Sequence, residues 1–142
     1  MSIKSFFAIP FAKIAIKKVN KWASNPHKTQ EKVFKNLVSK ASKTAFGKDH
    51  DFENIHNYAD FKERVKVQDY EGLRKYVDRM VAGESDILWP GKPLYYAKTS
   101  GTTSGAKYIP ITKDSMPTHI KAAKNALLSY IVEKKDASFV NG

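Results

Sequence analysis

Nine residues, Thr99-Ser100-Gly101-Thr102-Thr103-Ser104-Gly105-Ala106-Lys107, constrain this chain more than any other stretch. They stand between two runs that read as short strands, Leu94-Tyr95-Tyr96-Ala97 and Tyr108-Ile109-Pro110-Ile111. Five hydroxyl side chains, two glycines and a terminal lysine make a loop suited to surrounding an anion. The glycines allow positive φ and bring backbone N–H groups close to phosphate oxygens; the hydroxyls add donors, and Lys107 adds a point charge. The spacing is not that of the common nucleoside-triphosphatase loop, which needs four residues between its glycines and then Lys-Ser/Thr. Here three residues separate Gly101 from Gly105, and Tyr108 follows Lys107. The same composition also describes a plain Ser/Thr/Gly-rich hairpin turn. The closing lysine and the apolar flanks favour the anion site.

The 142 residues, 42% of them apolar, are enough for one ordinary core. No cysteine is present, which excludes disulfides, thiolate metal sites and a cysteine nucleophile. No run approaches the eighteen or so apolar residues of a membrane span. The N-terminal run Ser5-Phe6-Phe7-Ala8-Ile9-Pro10-Phe11-Ala12 hints at a secretory signal. It is short, however, and is followed by Lys13, Lys17 and Lys18 rather than a small-residue cleavage site, so it reads as retained in a cytoplasmic protein. The net charge of +11 is uneven: residues 1–48 carry +10, residues 49–98 carry −2 and residues 99–142 carry +3. The N-terminal lysine block suits nucleic acid or an anionic membrane surface. Yet it contains no arginine and no nucleic-acid motif, and its lysines recur on the polar faces of expected helices, which reads as a solvated face.

Helical spacing recurs before the loop. Phe7, Phe11, Ile14, Ala15, Val19 and Trp22 form one stripe over Ile3–Ala23 despite Pro10, and such a stripe is expected to pack against parts of the protein not present here rather than lie on a membrane surface. Asn25-Pro26 starts a second helix, with Val33, Phe34, Leu37, Val38, Ala41 and Ala45 inward and Gly47 closing it. His27, His50 and His56 have no metal-ligand spacing and read as surface or capping residues; no metal site is expected. Tyr58–Val65 reads as a short amphipathic turn. Asp69 caps a further helix that carries Tyr70, Leu73, Val77, Met80 and Val81 and ends at Gly83. Glu84 and Asp86 invite a metal or general-base role, but their place between Gly83 and Pro90 reads as a solvated turn. Trp89-Pro90-Gly91-Lys92-Pro93 is a stiff turn with Trp89 buried beneath it. After the loop, Thr112 caps a long helix through Asp114 to Glu133, with Met116, Ile120, Ala123, Leu127 and Ile131 inward.

The loop resembles the nucleotide loop of adenylate-forming enzymes: Ser/Thr-Ser-Gly-Thr-Thr/Ser, one or two small residues, Gly or Pro, then Lys. Its continuation, Tyr108-Ile109-Pro110-Ile111-Thr112, is similar to the Gretchen Hagen 3 family of auxin-responsive acyl-acid amido synthetases. Thr44-Ala45-Phe46-Gly47-Lys48, Tyr58-Ala59-Asp60-Phe61-Lys62, Asp69-Tyr70-Glu71 and Gly83-Glu84-Ser85-Asp86-Ile87-Leu88 stand in that family's order over residues 28–142. Val65-Lys66-Val67 replaces the usual valine-proline before the Tyr-Glu pair, which points to a bacterial-type relative. The resemblance implies an α/β fold, the N-terminal part of the large domain of an adenylate-forming (acyl-CoA synthetase/luciferase-like) enzyme: helices first, then strand, phosphate loop, strand and helix. Residues 1–24 would be an N-terminal helical segment, 25–93 a helical region and 94–142 the loop hairpin with its following helix, all within one incomplete domain.

The implied activity is ATP-dependent acyl-adenylate formation from a small carboxylic acid, followed by transfer to an amine, such as an amino acid, or to a thiol, with Mg2+ bridging the phosphates. Lys107 would be the catalytic residue. Thr99, Ser100, Gly101, Thr102, Thr103, Ser104 and Gly105 would bind ATP, and His119 and Asn125 would border the acyl pocket. The adenine- and ribose-binding motifs would lie downstream, so this portion alone is expected to be inactive, poorly packed and prone to aggregate through its strands. The competing class is a non-catalytic basic module binding phosphate, nucleic acid or membrane.

Overall fold

The computed structural model describes residues 3–99 and 105–138. These fall into two compact units, one drawn from residues 1–30 and 116–142, the other from residues 31–115.

The first unit is a pair of packed helices. Helix α1, Ile3–Ala23, continues through Pro10, and α6, Met116–Lys134, lies against it. Their seam is small: Ala12 is fully buried with Leu128, Ile131 and Ala137, and Ala8, Ile9, Ala15, Ile16 and Val132 pack around them. The stripe of large apolar residues on α1 does not form this seam. Phe7, Phe11, Ile14 and Trp22 are 51–63% exposed, and the face turned to α6 is the one carrying alanines and isoleucines. Small side chains let two helix backbones approach closely; a phenylalanine seam would hold them apart. In α6 the stripe is likewise displaced: Leu128 and Ile131 are buried while Ile120 and Leu127 are exposed.

The second unit starts within α2, Pro26–Ala41. Phe34, Val38 and Ala41 pack inward; Val33 and Leu37, expected beside them, are exposed. Helix α2 does not run on to Gly47. It stops at Ala41, and Thr44 caps a separate five-residue helix α3, Ala45–Asp49. The buried Thr44 hydroxyl donates to the Ala41 carbonyl at 2.7 Å and accepts the Gly47 N–H at 3.0 Å, satisfying both ends of the break. A Cβ at Gly47 would run into the Ala41 carbonyl oxygen, so only glycine permits this return of the chain.

A 3-10 turn, Phe52–Asn54, and helix α4, Tyr58–Arg64, follow. Asn57 caps α4 through the N–H groups of Ala59 and Asp60, and Asp60 reaches back to Asn57. Helix α5, Tyr70–Val81, is capped by Asp69, whose carboxylate accepts the Gly72 N–H. Phe46 joins the two apolar clusters of this unit, one around Val38, Ala41, Phe52 and Ile55, the other around Tyr76, Met80 and Ile87. Its ring meets those of Phe52, Tyr76 and His50 at 5.7, 5.1 and 4.0 Å. His50, stacked there, bonds the Phe46 carbonyl through Nδ1 at the end of α3.

The two acids after α5 are engaged in this framework. Glu84 accepts two hydrogen bonds from Arg79, and Asp86 accepts the Gly91 N–H at 2.8 Å. These donors hold both carboxyls below their ordinary pKa. Asp86 has φ of 59° and Gly91 of 78°, so a left-handed residue stands at each end of the Trp89-Pro90 turn. That turn presents the Asp86 and Ile87 carbonyls to the first N–H groups of α3, those of Ala45 and Phe46. Trp89 is half-buried against the Val38 cluster and donates through Nε1 to Asp114, which also takes Lys40 at 2.9 Å.

Candidate functional site

Strand β1, Tyr95–Thr99, and strand β2, Lys107–Ile111, form an antiparallel pair. Strand β1 starts one residue later and runs two residues further toward the loop than the apolar run suggested, and β2 starts one residue nearer the loop, so Thr99 and Lys107 are themselves paired. In such a ladder these two backbones lie about 5 Å apart, and residues 100–106 are the connection that this pair closes. Thr99, Gly105 and Lys107 are thus brought together at the loop's base. Ser100, Gly101, Thr102, Thr103 and Ser104 lie outside the described residues. Gly105 has φ of 82°, a conformation that favours glycine, with open space where a Cβ would stand.

Three features fix the hairpin against α5. Tyr96 packs on the Tyr76–Met80–Ile87 cluster, and its burial raises the pKa of the phenol. Tyr108, on the same face, meets Tyr96 edge-on at 6.3 Å. Tyr70, the first residue of α5, accepts the Tyr108 N–H on its hydroxyl at 2.9 Å. This N–H points away from β1, and two residues on, at the equivalent outward position, Pro110 has none. The outer edge of β2 therefore offers no donor at either position, which blunts the edge pairing expected of unpartnered strands.

Charge at this point is arranged around the Tyr70 ring. Lys107 Nζ lies 5.5 Å from the ring centroid and the Arg74 guanidinium 5.8 Å. Glu71 grips Arg74 at 2.7 and 2.8 Å, which raises the guanidinium pKa further. The loop base thus carries a lysine ammonium beside a neutralised arginine. Sequence reading placed Tyr70 on the apolar side of α5 and in the Asp69-Tyr70-Glu71 stretch of the family resemblance, with no role at the loop; a contact spanning 38 residues leaves no local spacing signal. Among the described residues, no three His, Cys, Asp or Glu side chains gather as a metal-binding group. Of the two residues expected to border an acyl pocket, His119 is exposed, and Asn125 lines a cavity of about 280 Å³ within the α1–α6 pair.

The model of the GH3 family N-terminal domain matches residues 15–141. The chain belongs to the GH3 family. Its helices-first order, with a small two-stranded sheet near the end, accords with that N-terminal domain. Among curated relatives, indole-3-acetic acid-amido synthetase GH3.2 of Arabidopsis thaliana is 28% identical over 94 residues, 66% of this chain and 17% of that protein. Indole-3-acetic acid-amido synthetase GH3.4 of the same plant is 29% identical over 94 residues, 66% of the chain and 16% of the relative. Indole-3-acetic acid-amido synthetase GH3.15, also from Arabidopsis thaliana, reaches 39% over 62 residues, 42% and 10% respectively. The GH3 chain described here thus spans less than a fifth of the length of these relatives. No helix among its described residues is long and apolar enough to cross a membrane.

Proposed function

We propose that this chain is the N-terminal portion of one adenylate-forming domain in an ATP-dependent acyl-acid amido synthetase, and that the hairpin loop holds the phosphates of ATP. The observation that carries the reading is the Thr99–Lys107 pair, which sets a lysine at the base of a loop with two glycines and further hydroxyls, in a chain of the GH3 family. The names of the amido synthetase relatives support an acid and an amine as substrates.

In the proposed reaction a carboxylate oxygen attacks the α-phosphorus of ATP, the α–β bridging bond breaks, and pyrophosphate departs with that electron pair. An amine or thiol then opens the mixed anhydride and releases AMP. Thr99 and Gly105, with Ser100, Gly101, Thr102, Thr103 and Ser104 between them, would donate to the β- and γ-phosphates, and Lys107 would offset charge that grows on the departing pyrophosphate. Mg2+ would bridge the nucleotide's phosphates and offset their charge. The setting proposed is cytoplasmic.

A charge-assisted contact is worth roughly 1.5–3 kcal/mol, so Lys107→Ala in the full-length protein should lower kcat/KM for ATP by about one to two orders of magnitude. ATP–pyrophosphate exchange over a panel of carboxylic acids measures it. Exchange at the wild-type rate in Lys107→Ala would remove Lys107 from the reaction.

A further inference from the structure

We propose that Tyr70 is a positioning residue for Lys107, fixing the start of β2 so that the ammonium is held at the loop's base; this rests on the phosphate-binding reading above. Three contacts converge on the one side chain. Its hydroxyl accepts the N–H of Tyr108, the residue directly after Lys107, at 2.9 Å. Its ring lies under Lys107 Nζ at 5.5 Å and under the Arg74 guanidinium at 5.8 Å. Tyr70 is itself placed by a capped helix: Asp69 accepts the Gly72 N–H, so the first turn of α5 is anchored where Tyr70 leaves it.

The chemistry favours positioning over direct participation. A lysine side chain carries about 2 kcal/mol of rotamer entropy, and an aromatic face beneath its ammonium narrows the range it samples. The backbone bond acts one residue away. Lys107 is held from β1 by its pairing with Thr99, and the next N–H, that of Tyr108, is held from α5 by the phenol, so the backbone of Lys107 is gripped from both sides of the strand. Arg74 on the same ring has its charge matched by Glu71, which leaves the lysine as the cation directed to an anion at the loop.

The test is equilibrium binding of MgATP to the full-length protein, with amide hydrogen exchange at Tyr108 read alongside. Tyr70→Phe keeps the ring and removes only the acceptor. It should speed Tyr108 exchange and weaken MgATP binding by about threefold to tenfold, the range for one lost hydrogen bond. In a Lys107→Ala background the same substitution should weaken binding by less than about twofold, because the group it positions is gone. Equal losses in both backgrounds, or unchanged binding in Tyr70→Phe, would overturn the role of Tyr70 while leaving Lys107 in place. Unchanged binding in Lys107→Ala alone would instead overturn the phosphate-binding reading and this proposal with it. Should Tyr70→Phe fail to fold, Tyr70→Leu, which removes the acceptor and the ring together, must reproduce the coupled loss, larger in the wild-type than in the Lys107→Ala background.

Discussion

In the α1–α6 pair, alanines and isoleucines of α1 meet Leu128 and Ile131 of α6 at the seam, and Phe7, Phe11, Ile14 and Trp22 are exposed beside it; in residues 31–115, rings fill the interior and Phe46 links both apolar clusters. The two units therefore respond differently to a change in volume. The helix pair depends on closeness, so added bulk should harm it. The aromatic unit depends on filling, so lost bulk should harm it. The sharpest break of this comparison is Phe46→Ala, which would leave Phe52, Tyr76 and His50 without their common neighbour. We expect a loss of about 3–5 kcal/mol, measured by denaturant titration of the chain. A loss below about 1 kcal/mol would mean that the two clusters are held independently of Phe46.

The converse substitution tests the other unit. Ala12 is completely buried at the seam, and Ala12→Leu would push α1 from α6. Overpacking of this kind costs about 1–3 kcal/mol. A leucine accepted there without loss would show that the seam has slack, and the claim that small residues set the helix spacing would fall.

Much of this contrast was legible in the sequence for the second unit and little for the first. Asp69 as a cap and the turn before β1 follow from local chemistry, and the structure has both; the α5 stripe holds at Val77 and Met80, while Val81 is exposed and the buried Tyr76 lay outside the expected stripe. The loop hairpin was legible as two strands flanking a hydroxyl-rich stretch, with the strands reaching two residues and one residue further into it than the apolar runs showed. What went unread was the face of α1 that meets α6: apolar residues occupy more than half the circumference, so periodicity picks out the phenylalanine stripe and not the alanines. On α2 the error has another source: the break at Ala41 depends on the Thr44 hydroxyl bonding both ways and on Gly47 passing a carbonyl oxygen, contacts that no hydrophobic pattern encodes. Tyr70 belongs to the same class. Its hydroxyl matters because β2 passes it, and that is a fact of tertiary structure.

A further prediction sharpens the description of the aromatic unit through pH. Tyr76 donates to Asp49 at 2.7 Å from inside the cluster, and burial first, then that carboxylate, push its pKa up to about 12. A folded-state pKa raised above the ordinary value near 10 means that the neutral phenol is favoured by folding. Its contribution is present in full below pH 10 and is lost as pH rises through 12. The stability difference between the wild type and Tyr76→Phe should accordingly shrink between pH 10 and pH 12 and stay constant from pH 7 to pH 9. A difference that does not change above pH 10 would place the phenol in water.

The smallest effect expected is at Phe11, on the rim of the α1–α6 groove, where the comparison is most exposed to error. Phe11 is half-exposed and its ring carries Lys124 Nζ at 4.9 Å. If the seam is the only apolar contact that stabilises the helix pair, Phe11→Ser removes a surface cation–π contact and some partial burial, together under about 1 kcal/mol. Denaturant titration would then give a slightly lower midpoint with the slope unchanged. The residue type makes the test decisive, because a phenylalanine truncated in the aromatic unit is expected to cost several times more than one truncated here. A loss near 3 kcal/mol for Phe11→Ser would put this ring in a core, and the alanine seam would cease to be what separates the two units.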